Sequence, residues 1–248
     1  MRMLFFLPFL FPLWGMESTE SLGWRVEGEP MLFDRKENLL EVVLPEGGRV
    51  QMEGRILLSG GRTTVLFPTQ GDAPPTLHAV GGIVLDDEES HIEAGDIDLT
   101  EETVILNPGK SGVRAEILGY RFSCHCLMEL SVAEGSFLLH EDQMGGRSEI
   151  RGEGVIVRAT TMGGDLERGR LWGRGDVEMN LTWGEGEEYG ATGSAFEKDG
   201  DFLHIEEGTL LFGEGGVLTA DLLTLDGVTG SIEATGKFHL AWPSEGGL

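Results

Sequence analysis

The stretch "LDDEESHIEAGDIDL" carries Asp86, Asp87, Glu88, Glu89, Glu93, Asp96 and Asp98 close together. Carboxylates at this density can hold calcium, or can supply an acid/base pair of the kind that cleaves polysaccharide on a β-solenoid. The competing account is a solvated turn followed by an outward strand face that resists edge aggregation. The chain has only two cysteines, Cys124 and Cys126 in "RFSCHCLMEL". At i and i+2 of a strand they share one face, near the upper limit of the Cα separation that a disulfide spans, so a bridge needs local distortion. Zinc wants four ligands at looser spacing, and no second Cys or His cluster is near. His78, His91, His125, His140, His204 and His239 are scattered singly, without an H-x-H or H-E-x-x-H pattern. The glycine clusters "GEGG" and "MGGD" do not open a helix ahead of a lysine, which removes the phosphate-loop and dinucleotide readings. No catalytic residue, cofactor or metal ligand is assigned, and the chain is expected not to be an enzyme.

The elements that carry these residues follow a period of two. Ile232, Ala234, Gly236, Phe238 and Leu240 alternate with polar residues around a central glycine. The same template fits Val50, Met52, Gly54, Ile56 and Leu58, then Leu77, Ala79, Gly81, Ile83 and Leu85, and then Leu171, Gly173, Gly175, Val177 and Met179. Looser copies surround Gly154, with Ile150 and Ile156, and Gly119. Turn signals such as "PEGG", "NPGK", "EKDGD" and "LDGVTG" separate further short apolar runs, and no helical period appears beyond the N-terminal leader. A glycine inside a strand marks a bend, a bulge or a close backbone approach. The pattern predicts an all-β chain of irregular, short antiparallel strand repeats, each bent at its glycine, with an apolar inner face and a charged outer face.

Composition limits the partners. The formal net charge of -25 excludes nucleic acid, which needs clustered Lys and Arg, and opposes an anionic membrane surface. The 39 glycines among 248 residues exceed the usual ~7 % yet lack a collagen triplet. Arg2 and the apolar run Met3 to Trp14 read as a secretory signal or an N-terminal anchor over residues 1–16, too short for an ordinary membrane span. The chain is therefore expected in the periplasm, either free or tethered to the inner membrane.

The segment "GVLTADLLTLDGVTGSIEATGKFHL" resembles the repeat of the OstA-like lipopolysaccharide-transport family, whose periplasmic members are of the LptA and LptC type. The likeness rests on the strand Leu218, Ala220, Asp221, Leu223 and Leu225, the "DGVTG" turn and the "I-x-A-x-G-x-F-x-L" strand, and earlier segments repeat its second half. The resemblance implies one open β-jellyroll, or β-taco, over residues 24–242, built as one unit or as two tandem sub-repeats. It also implies acyl chains of lipopolysaccharide or a related lipid in an apolar groove, and edge-strand joining to other transport components, with self-association a further option. Its groove positions map to Ile56, Leu58, Ile83, Leu85, Ile156, Val177, Met179, Phe238 and Leu240. The alternatives are a β-solenoid polysaccharide hydrolase or lyase, and a structural exported repeat protein without ligand.

Overall fold

The computed structural model describes residues 24–242 apart from 53–54, 71–72, 89, 132–133, 143–144, 153, 184–186 and 213–214, so the leader and Gly54 lie outside the described residues. Every described element is a strand. The first eighteen are short: β1 (Arg25–Glu27), β2 (Leu32–Lys36), β3 (Leu39–Leu44), β4 (Gly48–Met52), β5 (Arg55–Ser59), β6 (Thr63–Pro68), β7 (Thr76–Ala79), β8 (Ile83–Asp86), β9 (Ser90–Ala94), β10 (Asp96–Leu99), β11 (Thr103–Asn107), β12 (Val113–Ile117), β13 (Tyr120–Cys124), β14 (Met128–Ser131), β15 (Ser136–Leu139), β16 (Ser148–Gly152), β17 (Val155–Ala159) and β18 (Thr161–Asp165). Five long strands finish the chain: β19 (Arg170–Trp183), β20 (Glu187–Asp199), β21 (Phe202–Leu211), β22 (Val217–Asp226) and β23 (Ile232–Ala241).

Pairing follows one rule. β4 pairs with β5 as a hairpin and β5 then reaches across to β8, while β6 pairs with β7 and β7 reaches to β10. Repetition of this rule sorts the short strands into two wings. The first runs β1, β4, β5, β8, β9, β12, β13, β16, β17, and the second runs β2, β3, β6, β7, β10, β11, β14, β15, β18. The chain crosses between wings after every hairpin. β19 fuses them, because Thr161–Asp165 of the second wing pairs with its first half and Val155–Arg158 of the first wing with its second half. β20 to β23 then each run across both wings, so all 23 strands form one antiparallel sheet, folded along a corner and not closed into a barrel.

The corner explains much of the glycine. A hydrogen-bond file passes along it from Gly60 N–H to the Gly82 carbonyl, Gly82 N–H to Gly95 and Gly95 N–H to Asn107, at 3.0, 2.9 and 2.8 Å. A Cβ on Gly95 would stand 2.6 Å from the Cα of Gly109, so these two backbones meet only because neither carries a side chain.

The predicted bends hold at Gly81, Gly175 and Gly236, all at the corner with φ of 88°, 76° and 82°. They fail at Gly119 and Gly154. These occupy hairpin turns, flanked by the pairs Ile117↔Tyr120 and Gly152↔Val155. The distinction decides which face each later residue takes. The bends at Gly81, Gly175 and Gly236 keep the alternation in phase, and Leu77, Ala79, Ile83 and Leu85 all point inward and are buried. A two-residue turn pairs positions an odd number apart and so reverses the phase. The inward set is accordingly Val50 with Leu57 and Ile150 with Val157.

The core between the wings is continuous from Val42 to Leu225. Leu44, Leu57, Ile97, Leu106, Met128, Leu139 and Ile150 are almost wholly shielded. Burial of this kind, at about 25 cal/mol for each Å² of apolar surface, is what holds strands too short to be stable as isolated hairpins.

Candidate functional site

The wings meet at the corner and part at their opposite margins, where the hairpin turns lie. Toward the first half of the stack a cavity of 230 Å³ opens there, walled by Leu85, Ile92 and Ile117 of the first wing and Val104, Leu130 and Leu166 of the second. Arg55 and Asp87, paired at 3.4 Å, stand at its rim. Farther along, a cavity of 720 Å³ is lined by Val155, Leu181, Tyr189 and Phe212, and reaches round the margin to Ile156, Asn180 and Leu211. An aromatic row leads from it to the end of the stack. Tyr189 meets Phe212 edge-on with ring centroids 5.9 Å apart, and Phe212 meets Trp242 at 5.7 Å.

No described residue covers the end itself. Phe238 and Leu240 pair with Ala220 and Leu218, so they continue the inner face of the sheet. With β23 the last of the described strands, they are 66 % and 58 % exposed, and Trp242 is exposed beside them. Gly236 sets the turn of this strand. At its φ of 82° a Cβ would collide with Asp221, whose carboxylate accepts a hydrogen bond from the Lys237 N–H at 2.8 Å. At the other end, among the described residues β1 pairs only with β4 and β2 only with β3, and Phe33 is exposed on the inner face.

The nine groove positions expected from the sequence separate into three groups. Ile83, Leu85, Val177 and Met179 face inward and are packed into the core, with Leu85 also reaching the smaller cavity. Phe238 and Leu240 face inward at the open end. Ile56, Leu58 and Ile156 require a correction of orientation. They pair with Gln51, Arg49 and Arg151 and take the outer face, because the turns before them reverse the alternation. The mouth residues that the reading missed, Ile117, Leu130, Leu166, Tyr189 and Phe212, sit at strand ends and in loops. Alternation alone does not separate a margin position from a central one.

Asp86, Glu93 and Asp98 of the acidic run are engaged in outer-face pairs. Asp86 hydrogen-bonds the His91 ring, Asp98 the His78 ring at 2.6 Å, and Glu93 accepts from Arg114 at 3.4 Å. The bond to Asp86 raises the His91 pKa, and Glu93 adds to it. On the same face, Arg158 bridges Glu149 at 2.7 Å and Glu178 at 3.1 Å, and Arg151 reaches Glu149 at 2.6 Å. Partial burial pushes the Glu149 pKa up, but the two arginines outweigh it and hold the carboxyl below its usual range. No group of three or more His, Cys, Asp or Glu placed to hold a metal ion occurs among the described residues.

Compared with known proteins, the chain matches no family model and no curated sequence.

Proposed function

We propose that this protein is an exported carrier or bridge for lipopolysaccharide or a related lipid, which holds acyl chains against the apolar mouth and joins partners by strand addition at β23. The observation that carries the reading is the open end. An inner-face strip of Phe238, Leu240 and Trp242 stands exposed on a strand whose outer edge has no partner among the described residues. A free edge offers backbone hydrogen bonds to an incoming strand, and the exposed strip supplies an apolar surface continuous with the aromatic row. Acyl chains would lie along Tyr189, Phe212 and Trp242, since the interior nearer the corner is filled by side chains.

Strand direction also suits addition of a second copy. β23 runs from the second wing to the first, whereas β1 followed by β2 runs from the first to the second. A copy added end to end would therefore continue both wings with every neighbour antiparallel, as within the chain. The packed corner favours the other reading, a structural repeat protein without ligand. Photo-crosslinking separates them. A benzophenone side chain at Tyr189 or Phe238 is expected to give lipid adducts in cells, and one at Leu58, on the outer face, none. Confirmed incorporation with no lipid adduct at either inner position would overturn the carrier reading and leave the structural one.

A further inference from the structure

Cys124 ends β13, and Cys126 follows at the bend by which the chain leaves the first wing for β14. Both side chains turn into the core and are 3 % exposed, while His125 between them faces solvent. The Cys124 thiol donates to the Cys126 carbonyl at 3.5 Å. The Cys126 sulfur lies 3.3 Å from the hydroxyl of Ser148, itself buried at the start of β16. Extended backbone separates i and i+2 Cα atoms by about 6.6 Å, inside the disulfide range near its upper end, and the chain bends at 125 and 126. The two thiols also differ. A hydrogen bond between the two thiols, aided by the Ser148 hydroxyl, lowers the Cys126 pKa against the effect of burial and of Asp142. The same bond, with burial, raises that of Cys124. Thiolate is the attacking species in disulfide exchange, so the pair has a built-in order of reaction.

We propose that Cys124 and Cys126 are a redox-active dithiol that closes reversibly into a disulfide at the corner between the wings. The Cys126 thiolate attacks one sulfur of an external small-molecule or protein disulfide, breaks that S–S bond and releases a thiolate. Cys124 then gives up its proton and attacks the Cys126 sulfur of the mixed disulfide, expelling the second thiolate. Two electrons pass from the cysteine sulfurs to the external disulfide, which leaves as two thiols carrying the two protons. The loop that closes is three residues long, so its effect on the unfolded chain is smaller than that of a long-range bridge, and the consequence is local. It fixes the crossing from β13 to β14, beside Val113 and Ser148. This inference does not depend on the lipid reading.

The test uses the folded full chain with oxidised glutathione as the probe. Intact-mass measurement is expected to show loss of two hydrogens within the monomer, with both free thiols lost together and recovered on reduction. C124S is expected to trap a glutathione adduct on Cys126 at about tenfold the rate at which C126S traps one on Cys124. A wild-type chain that keeps both thiols when folded and loses them only in denaturant would show a buried, inert pair and overturn the proposal. That comparison needs no variant to fold. Bridges found only between chains, or equal trapping rates, would overturn it as well.

Discussion

Leu57 and Leu58 are adjacent, chemically identical and opposite in fate. Leu57 is fully buried against Val50 and Leu85, and Leu58 is 45 % exposed beside Arg49 and Val84. Truncation separates them. L57A is expected to cost about 2–5 kcal/mol in urea unfolding, through lost burial and a cavity, and L58A less than about 1 kcal/mol. Equal costs would mean that the hairpin does not reverse the alternation. Glu149 gives a second residue-scale test. Its pKa is lower folded than unfolded, so its pairs with Arg151 and Arg158 stabilise the fold above the ordinary carboxylate value of 4.5 and lose that effect as pH falls through the folded value. E149Q is expected to be less stable by about 1 kcal/mol at neutral pH, an amount discounted for the exposed arginines. The gap between wild type and E149Q narrows as the pH drops below 4.5. A gap that widens in acid would reverse the sign and remove the ion pairs as its cause.

At the scale of elements, each long strand crosses the corner, and each crossing breaks the regular ladder. The register of β19 against β20 shifts between Arg174 and Val177, and that of β22 against β23 between Ala220 and Leu222. On β21, Glu207 sits between the paired positions Glu206 and Gly208 with φ of 48°, which a residue with a side chain adopts at a cost. E207G is expected to raise stability by up to about 1 kcal/mol in thermal unfolding, although glycine adds freedom to the unfolded chain. A loss above that size would show that the Glu207 side chain holds this crossing in some other way. These crossings also account for what the sequence made legible. The alternation disclosed the β class, and the glycine centres at 81, 175 and 236 disclosed bends, because at these three positions the period continues unbroken. Gly119 and Gly154 look the same in a one-dimensional pattern. Only the pairing partner reveals that the chain has turned back, so Ile56, Leu58 and Ile156 were assigned the wrong face. The mouth was hidden for a related reason, since its residues are joined by the parting of two wings and not by spacing along the chain.

For the molecule as a whole, the pairing rule makes the stack nearly one-dimensional. From β3 to β16 each short strand touches the strand one step and three steps away, and stability passes through successive neighbours as in a solenoid. In such an array the middle is held from both sides, whereas among the described residues β1, β2 and β23 are each held by one neighbouring strand. Hydrogen exchange is expected to register this as a gradient, with the slowest amides in β8 to β17 and the fastest in β1, β2 and β23. Uniform protection across the described strands would instead mean that the wings open as one cooperative unit. The same measurement bears on partner docking, because an added strand supplies hydrogen bonds to one edge only. Addition at β23 is expected to slow exchange in that strand and leave β1 and β2 unchanged, while end-to-end association of two copies slows both ends. The charge of -25 opposes contact between copies, so protection that arises from self-association is expected to increase from low to physiological ionic strength as the repulsion is screened. A decrease over that range would point to a partner of opposite charge seated on the open end.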